Sequence, residues 1–275
     1  MPQHLLIFGE GYTGARLRRR LEADGWRVTG TSRNGGAGKA VFDGREPLSS
    51  EAFQGVTHVL SSIPPDEDGD PALRLHADAL AALRSLKWAG CLSTTGVYGD
   101  HGGGWVDETT LPTPTSARAQ RRVGAEQQWL AWGKYAGKPV QVFRLAGIYG
   151  PGRSALERVQ KPDARSVVKP GHAMSRIHVD DIVQIVIAGM ARPIAGPVFN
   201  CADDEPAPTS DVQAFAAGLL GIAPPPEVPL DQADLSAMAR SFYADNRRVR
   251  NQRIKQELGV TLLYPTYREG LRACL

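Results

Sequence analysis

His4-Leu5-Leu6-Ile7-Phe8 runs straight into Gly9-Glu10-Gly11-Tyr12-Thr13-Gly14 and on into Ala15-Arg16-Leu17-Arg18-Arg19-Arg20-Leu21. An apolar run, a glycine-punctuated turn and an amphipathic segment make strand, turn and helix in succession. A second strand, Trp26-Arg27-Val28-Thr29-Gly30-Thr31, follows after Ala23-Asp24-Gly25 and completes a βαβ unit. In that setting each glycine has its own duty. Gly9 permits the tight turn off the strand, Gly11 lets the backbone approach a pyrophosphate, and Gly14 lets the new helix pack closely on the sheet. The helix start offers backbone N–H groups and a partial positive charge, so Gly9, Gly11, Tyr12, Thr13 and Gly14 are the expected phosphate cradle. Glycine turns also join strands to helices with no ligand; the flanking strand, helix and second strand favour the cradle.

The end of the second strand selects the dinucleotide. Binders of the non-phosphorylated form place Asp or Glu there for the ribose 2′-hydroxyl, whereas this chain places Thr31-Ser32-Arg33. Arg33 makes charge-assisted bonds to a 2′-phosphate and Ser32 donates another, which points to NADP in preference to NAD. The plainer alternative is that Arg33 is a solvated loop residue ahead of Asn34-Gly35-Gly36.

With 275 residues the chain suits one large domain, or a nucleotide-binding domain with a smaller extension. A formal net charge of +3, with acids and bases interspersed, gives no sign of a nucleic-acid surface. The arginines of 16–20 read as the solvated face of one helix. Three widely spaced cysteines, Cys91, Cys201 and Cys274, show no metal-ligand spacing, and no metal is expected. Such cysteine usage, with no signal pattern and no membrane-length apolar run, points to the cytoplasm.

Further along, Lys39-Ala40-Val41-Phe42-Asp43 reads as a third strand. Asp43 can bond an adenine amino group or simply start a turn. A fourth strand spans 56–65, and its end, Ser62-Ile63-Pro64-Pro65, stops ladder pairing where a cofactor crosses the sheet edge. A helix is expected over 71–86, carrying a structural or exposed His76. The fifth strand, Gly90-Cys91-Leu92-Ser93, delivers Thr94-Thr95-Gly96-Val97-Tyr98-Gly99 to the carboxyl edge of the sheet, beside the reacting end of the cofactor. A sixth, over 139–145, ends in Ile148-Tyr149-Gly150-Pro151-Gly152.

Ser93 through Gly99 resembles the active-site strand of the extended and atypical short-chain dehydrogenases/reductases, the group that includes nucleotide-sugar epimerases and dehydratases. Phe143-Arg144-Leu145-Ala146-Gly147-Ile148-Tyr149-Gly150-Pro151-Gly152, Arg176-Ile177-His178-Val179-Asp180-Asp181-Ile182, Phe199-Asn200-Cys201-Ala202-Asp203-Asp204-Glu205-Pro206 and Tyr264-Pro265-Thr266-Tyr267 are similar to that family in the same order. The resemblance implies a catalytic Tyr with Lys four residues later on a helix, and a Ser or Thr partner. Thr94 occupies the partner position. With Glu126 as anchor, however, the Tyr and Lys positions hold Arg118 and Arg122. In the family's mechanism a tyrosinate, favoured by the neighbouring Lys, exchanges a proton while hydride moves at the nicotinamide. Arginine is protonated throughout the working pH range and cannot act as that acid or base. Arg118 and Arg122 can instead bind an anion, steady an alkoxide or hold the nicotinamide ribose, and their spacing puts both on one helical face. Exposure to solvent is the plain reading of that face. Tyr98 and Tyr149 are weaker substitutes for the missing phenol. Asp107 and Glu108 read as loop or capping residues.

Basic residues Arg153, Lys161, Arg165 and Lys169 follow the sixth strand, where the resemblance implies substrate binding. His178 beside Asp180 and Asp181 invites a metal or acid/base reading, but the resemblance makes it a brace of the substrate region, with Asp180 capping a helix. The sugar-nucleotide signature is incomplete: Met174 stands where such enzymes carry Arg, and their later Arg-Pro-Gly-Asp is replaced by Asn246-Arg247-Arg248-Val249-Arg250-Asn251.

Together these readings give an α/β, Rossmann-type doubly wound parallel sheet over 1–150, completed by part of 187–200, with a small substrate-binding region in 151–275. The expected cofactor ligands are Gly9, Gly11, Tyr12, Thr13, Gly14, Ser32, Arg33, Asp43, Ser62, Ile63, Pro64 and Arg122; the expected catalytic residues are Thr94, Arg118 and Arg122. The expected function is an NADP-dependent oxidoreductase or epimerase/dehydratase-like enzyme on a small, anionic or sugar-type substrate. The rival is a non-catalytic NAD(P)-binding sensor or scaffold. Neither a nucleic-acid nor a membrane partner is expected, and the protein is a monomer or homodimer.

Overall fold

The computed structural model describes residues 3–36, 38–193, 197–236, 239–240 and 242–275. In chain order these form β1 (His4–Phe8), α1 (Tyr12–Ala23), β2 (Arg27–Ser32), β3 (Lys39–Val41), β4 (His58–Ser61), α2 (Pro71–Ala82), β5 (Trp88–Thr94), β6 (Trp105–Val106) and α3 (Ala117–Ala136). There follow β7 (Val140–Leu145), β8 (Gly147–Tyr149), α4 (Ala155–Val159), β9 (Ser166–Val168), β10 (Arg176–His178), α5 (Val179–Ala191), β11 (Val198–Cys201), α6 (Thr209–Leu220), β12 (Glu227–Pro229) and β13 (Arg248–Val249). Two short helices, Gln252–Gln256 and Tyr267–Arg272, come last.

Seven strands form the main sheet in the order β11-β7-β5-β4-β1-β2-β3. β1 pairs in parallel with both β2 and β4, setting Leu5 opposite Val28 on one side and His58 on the other. The chain therefore leaves β1 in opposite directions across the sheet, and ligands of such sheets bind at that reversal. Every residue of β1 is buried, as expected for a strand covered on both faces. The expected α/β Rossmann-type sheet is what the chain forms; residues 194–196 of the 187–200 stretch lie outside the described residues.

The chain divides into two compact units that interleave along the sequence. The first comprises 1–97, 116–144 and 183–199, and the second 98–115, 145–182 and 200–275. Stretch 98–115 joins the second unit because β6 pairs with β13, Trp105 opposite Arg248. In the first unit Leu6, Phe8, Val59, Leu80, Cys91, Trp129 and Val142 lie in one apolar core. In the second, Tyr149, Leu156, Val212, Ala216, Tyr267 and Leu271 form another.

Local chemistry sets the helix ends. Asp70 caps α2 by accepting the Ala72 N–H at 2.9 Å, and Pro71 opens its first turn. That helix stops at Ala82, four residues before the expected end, because Leu83 turns to extended backbone. Ser116 caps α3, whose far end closes on Gly137 at φ 63°. The arginines of 16–20 are not a uniformly solvated face: Arg18 turns inward to Glu10 and to the Val28 carbonyl. His76 is buried, bonded to the Leu48 N–H and the Ala72 carbonyl.

Candidate functional site

The glycine turn is clamped to the end of β2. Gly9 N–H donates to Thr31 Oγ1 at 3.0 Å, and Glu10 N–H to the Thr31 carbonyl at 2.7 Å. Gly9 has φ +81°, and an added Cβ would overlap the Ile63 side chain and stand 3.3 Å from its backbone nitrogen. Gly11 is different: an added Cβ would meet no protein atom within 4 Å. α1 begins at Gly11 with no side-chain cap, so its first turn faces an open cradle. That combination leaves room for a phosphate group at the helix start.

Past β2, Ser32 is half-buried and donates to the Gly35 carbonyl at 3.0 Å. Arg33 is exposed. Asp43 accepts the Arg45 N–H at 2.9 Å, the geometry of a turn starter, and the Phe42 N–H bonds the Ser32 carbonyl, bringing the 32–36 and 42–45 loops together. Lys39 was missed by the sequence reading. Its Nζ bonds the Glu10 carbonyl at 3.2 Å and lies 3.6 Å from the Glu10 carboxylate, placing a second cation beside the glycine turn.

At the other side of β1, the Ser62 N–H continues the ladder to the Phe8 carbonyl at 2.9 Å, Ile63 packs on Gly9, and Pro64 is exposed. Arg122 ties this edge to β5: its Nη1 donates to the carbonyls of Ile63 at 3.1 Å and Leu92 at 2.9 Å. Burial pulls its pKa down, with nearby Cys91, Asp70 and Glu126 acting against that. Thr94 ends β5 half-buried and accepts the Gly96 N–H through Oγ1 at 3.0 Å, leaving its O–H as a donor. Arg118 sits one helical turn before Arg122 and is exposed.

A buried ion pair explains why Arg122 points at the strand ends. Glu126, one turn further along α3, receives Arg144 Nη2 at 2.7 Å and Nε at 3.1 Å, and also accepts from Ser93. This fork locks α3 onto β5 and β7 and fixes its rotation. Asp70 supports the same region, accepting from Ser61 Oγ at 2.6 Å and Trp129 Nε1 at 2.7 Å, with burial pushing its carboxyl up.

In the second unit the two weaker phenol candidates, Tyr98 and Tyr149, are both buried. Tyr98 is fully buried and donates its hydroxyl to Asn200 at 2.8 Å. Tyr149 is buried beside the carboxyls of Asp203 and Asp181; burial first, and those charges second, hold its phenol far above the usual range. His178 is 1% exposed and packs on Tyr149 and Tyr264, with ring centroids 5.2 and 4.2 Å away. Asp181 accepts the N–H groups of Leu263 and Tyr264, while Asp180 lies in the first turn of α5. Among the described residues no three His, Cys, Asp or Glu side chains converge as a metal site. Glu108 accepts the Asn200 N–H at 2.8 Å, and Asp107 accepts the Thr109 N–H within its own turn.

A cleft of about 260 Å³ lies within this unit, lined by Lys169, His172, Thr209, Ser210, Tyr243 and Arg248 among others. Of the basic loop residues noted in the sequence, only Lys169 reaches it, bonded to the Tyr243 carbonyl at 2.6 Å. No helix among the described residues is long and apolar enough to cross a membrane.

The chain is similar to several known proteins. The model of the NAD dependent epimerase/dehydratase family matches residues 5–202. Protein YeeZ of Escherichia coli (strain K12) is 28% identical over 253 residues, covering 80% of this chain and 84% of its own. A conserved protein of unknown function from Silicibacter pomeroyi DSS is 52% identical, with 99% of this chain and 98% of that one covered and a TM-score of 0.92. UDP-glucuronic acid 4-epimerase from Bacillus cereus, solved in complex with NAD, shares the fold at 19% identity, a TM-score of 0.77 and 98% and 97% coverage.

Proposed function

The chain belongs to the NAD dependent epimerase/dehydratase family, and from that premise we propose that it is an NADP-linked oxidoreductase or epimerase/dehydratase-like enzyme acting on a small anionic substrate. The observation that carries the reading is the open cradle at Gly11 beside a β2 end bearing Ser32 and Arg33 instead of a carboxylate. Gly9, Gly11, Tyr12, Thr13 and Gly14 receive the pyrophosphate on backbone N–H groups. Arg33 would take the 2′-phosphate, joined by Ser32 once its O–H turns from the Gly35 carbonyl; Asp43 would border the adenine, and Ser62, Ile63 and Pro64 the nicotinamide half. When bound, the nicotinamide supplies hydride exchange with the substrate carbon.

Arg122 holds the cofactor ribose edge while bridging the β4 and β5 ends. Thr94 donates its O–H to a substrate oxygen, and Arg118 offers a fixed positive charge to an anionic group or a developing alkoxide. Neither arginine transfers a proton, so the proton goes to water or to a group of the substrate itself. Within the second unit, Lys169 and Arg248 on its cleft favour an anion.

Burial of both Tyr98 and Tyr149 favours one second reading, a dinucleotide-binding protein that senses NADP(H) without turnover. Fluorescence titration of NADPH and NADH, followed by a screen of carbonyl and nucleotide-sugar compounds for hydride transfer, separates them. NADPH is expected to bind about tenfold or more tightly than NADH, and Arg33→Ala to abolish that preference. Equal or inverted affinities refute the NADP reading. Tight binding with no transfer from any compound selects the sensor.

A further inference from the structure

Cys274 follows the helix Tyr267–Arg272, half-buried against the apolar core that contains Tyr149, Leu156 and Leu271. Its Sγ lies 3.7 Å from Nε2 of His178. The other ring nitrogen, Nδ1, accepts the Asp180 N–H at 3.2 Å, which leaves a neutral ring with its proton on Nε2, directed at the sulfur. The imidazole packs against Tyr149 in an edge contact and against Tyr264 at a tilt, with ring planes 81° and 58° apart. A second observation marks the same place. The Tyr149 hydroxyl is buried with no hydrogen-bond partner among the described residues. It lies where a side chain on Gly270 would project, one helical turn before Cys274.

We propose that Cys274 and His178 form a thiol–imidazole pair that makes Cys274 this chain's site of reversible mixed-disulfide formation with low-molecular-weight disulfides. The thiol gives its proton to solvent, and the thiolate accepts the His178 Nε2–H. It attacks one sulfur of the disulfide; a new S–S bond forms at Cys274 Sγ, the old one breaks, and the other half leaves as a thiolate. The step is an exchange and needs no further oxidant. Among the described residues, the charged and titratable groups facing His178 include Asp180, whose carboxylate is 3.8 Å from Nδ1, Tyr149, Tyr264 and Cys274 itself, with Asp181 acting on Tyr149 beside them. The Tyr149 hydroxyl is a donor within the same core for polar atoms of the adduct. The chain holds its own controls: Cys91 and Cys201 are 1% and 0% exposed, and burial raises both thiols.

The test uses the full chain and an aromatic disulfide, 5,5′-dithiobis(2-nitrobenzoate), with released thiolate followed by absorbance and the modified peptide identified by mass spectrometry. One equivalent is expected to react in the native protein, at Cys274, and three after denaturation. Cys274→Ser removes the native reaction. His178→Asn slows it by about tenfold or more at neutral pH and moves the pH of half-maximal rate upward. The wild-type rate itself, measured against free cysteine from pH 6 to 9, does not depend on any variant's folding. A native rate at Cys274 no faster than free cysteine at neutral pH overturns the proposal. So does modification at Cys91 or Cys201 first, or an unchanged rate profile in a folded His178→Asn protein.

Discussion

Gly9 and Gly11 stand two residues apart in one turn, and alanine at each is expected to break a different property. At Gly9 the backbone has φ +81°, so a Cβ costs about 1–2 kcal/mol in conformational strain. It also runs into the Ile63 side chain, which adds about 1–3 kcal/mol of overpacking. Gly9→Ala therefore loses about 2–5 kcal/mol, equivalent to a fall of roughly 5–15 °C in melting temperature for a chain of this size. At Gly11 the backbone has φ −93° and ψ −152°, which alanine tolerates, and nothing lies within 4 Å. Gly11→Ala is expected to cost at most about 1 kcal/mol, the modest loss of alanine against glycine at a helix N-cap. Its methyl group instead occupies the space assigned to the pyrophosphate, weakening NADPH binding about tenfold or more, at least about 1.4 kcal/mol. Thermal melts without ligand and fluorescence titration of NADPH on the three proteins read the two effects separately. If Gly11→Ala binds NADPH as wild type does, the dinucleotide does not lie over the glycine turn and the cofactor argument fails. If Gly9→Ala melts with wild type, the clamp between Ile63 and Thr31 is not what shapes the turn.

Glu126→Gln is expected to remove the opposite charge from the buried Arg144 and cost about 3–5 kcal/mol, read as a lower urea midpoint. Replacement of Arg122 by Met removes its two carbonyl bonds and should weaken NADPH binding at least severalfold while urea unfolding shows a stability loss of about 1–3 kcal/mol; unchanged affinity would remove Arg122 from the cofactor site. Burial, followed by Lys87, lowers the His58 pKa to about 4. The unfolded chain then binds more protons than the native one between about pH 6.5 and 4, so stability present above pH 6.5 is lost as the pH falls through that window. Denaturant midpoints across it should decline in wild type and decline less in His58→Asn; parallel profiles would exclude His58 as the cause.

The glycine cradle and βαβ opening were legible because their signals are local: a turn needing positive φ, a helix start and alternating covered strands are all specified within some thirty residues. The resemblance of later segments extended that reading to the family. The failures share a cause. Arg18 looked like part of a solvated basic face, yet Glu10 draws it inward, and only the folded backbone brings Glu10 over Gly30, where a larger residue would collide with its carboxylate. Lys39 escaped notice for the same reason, since its partner is a loop carbonyl twenty-nine residues away. The burial of Tyr98 and Tyr149, and the bond from Tyr98 to Asn200, 102 residues further on, likewise had no local signal.

By itself, then, the sequence determined the strand–glycine–helix opening, the absence of a carboxylate after β2 and the presence of two arginines, Arg118 and Arg122, four residues apart. These depend on residue identity and short-range geometry. Tertiary structure alone decided that Gly11 faces open space while Gly9 is packed, that Arg122 joins two strand ends, and that the Glu126–Arg144 pair sets the rotation of α3. Those outcomes rest on desolvation and pairing between residues far apart in the chain, energies that exist only once the fold has brought the groups together.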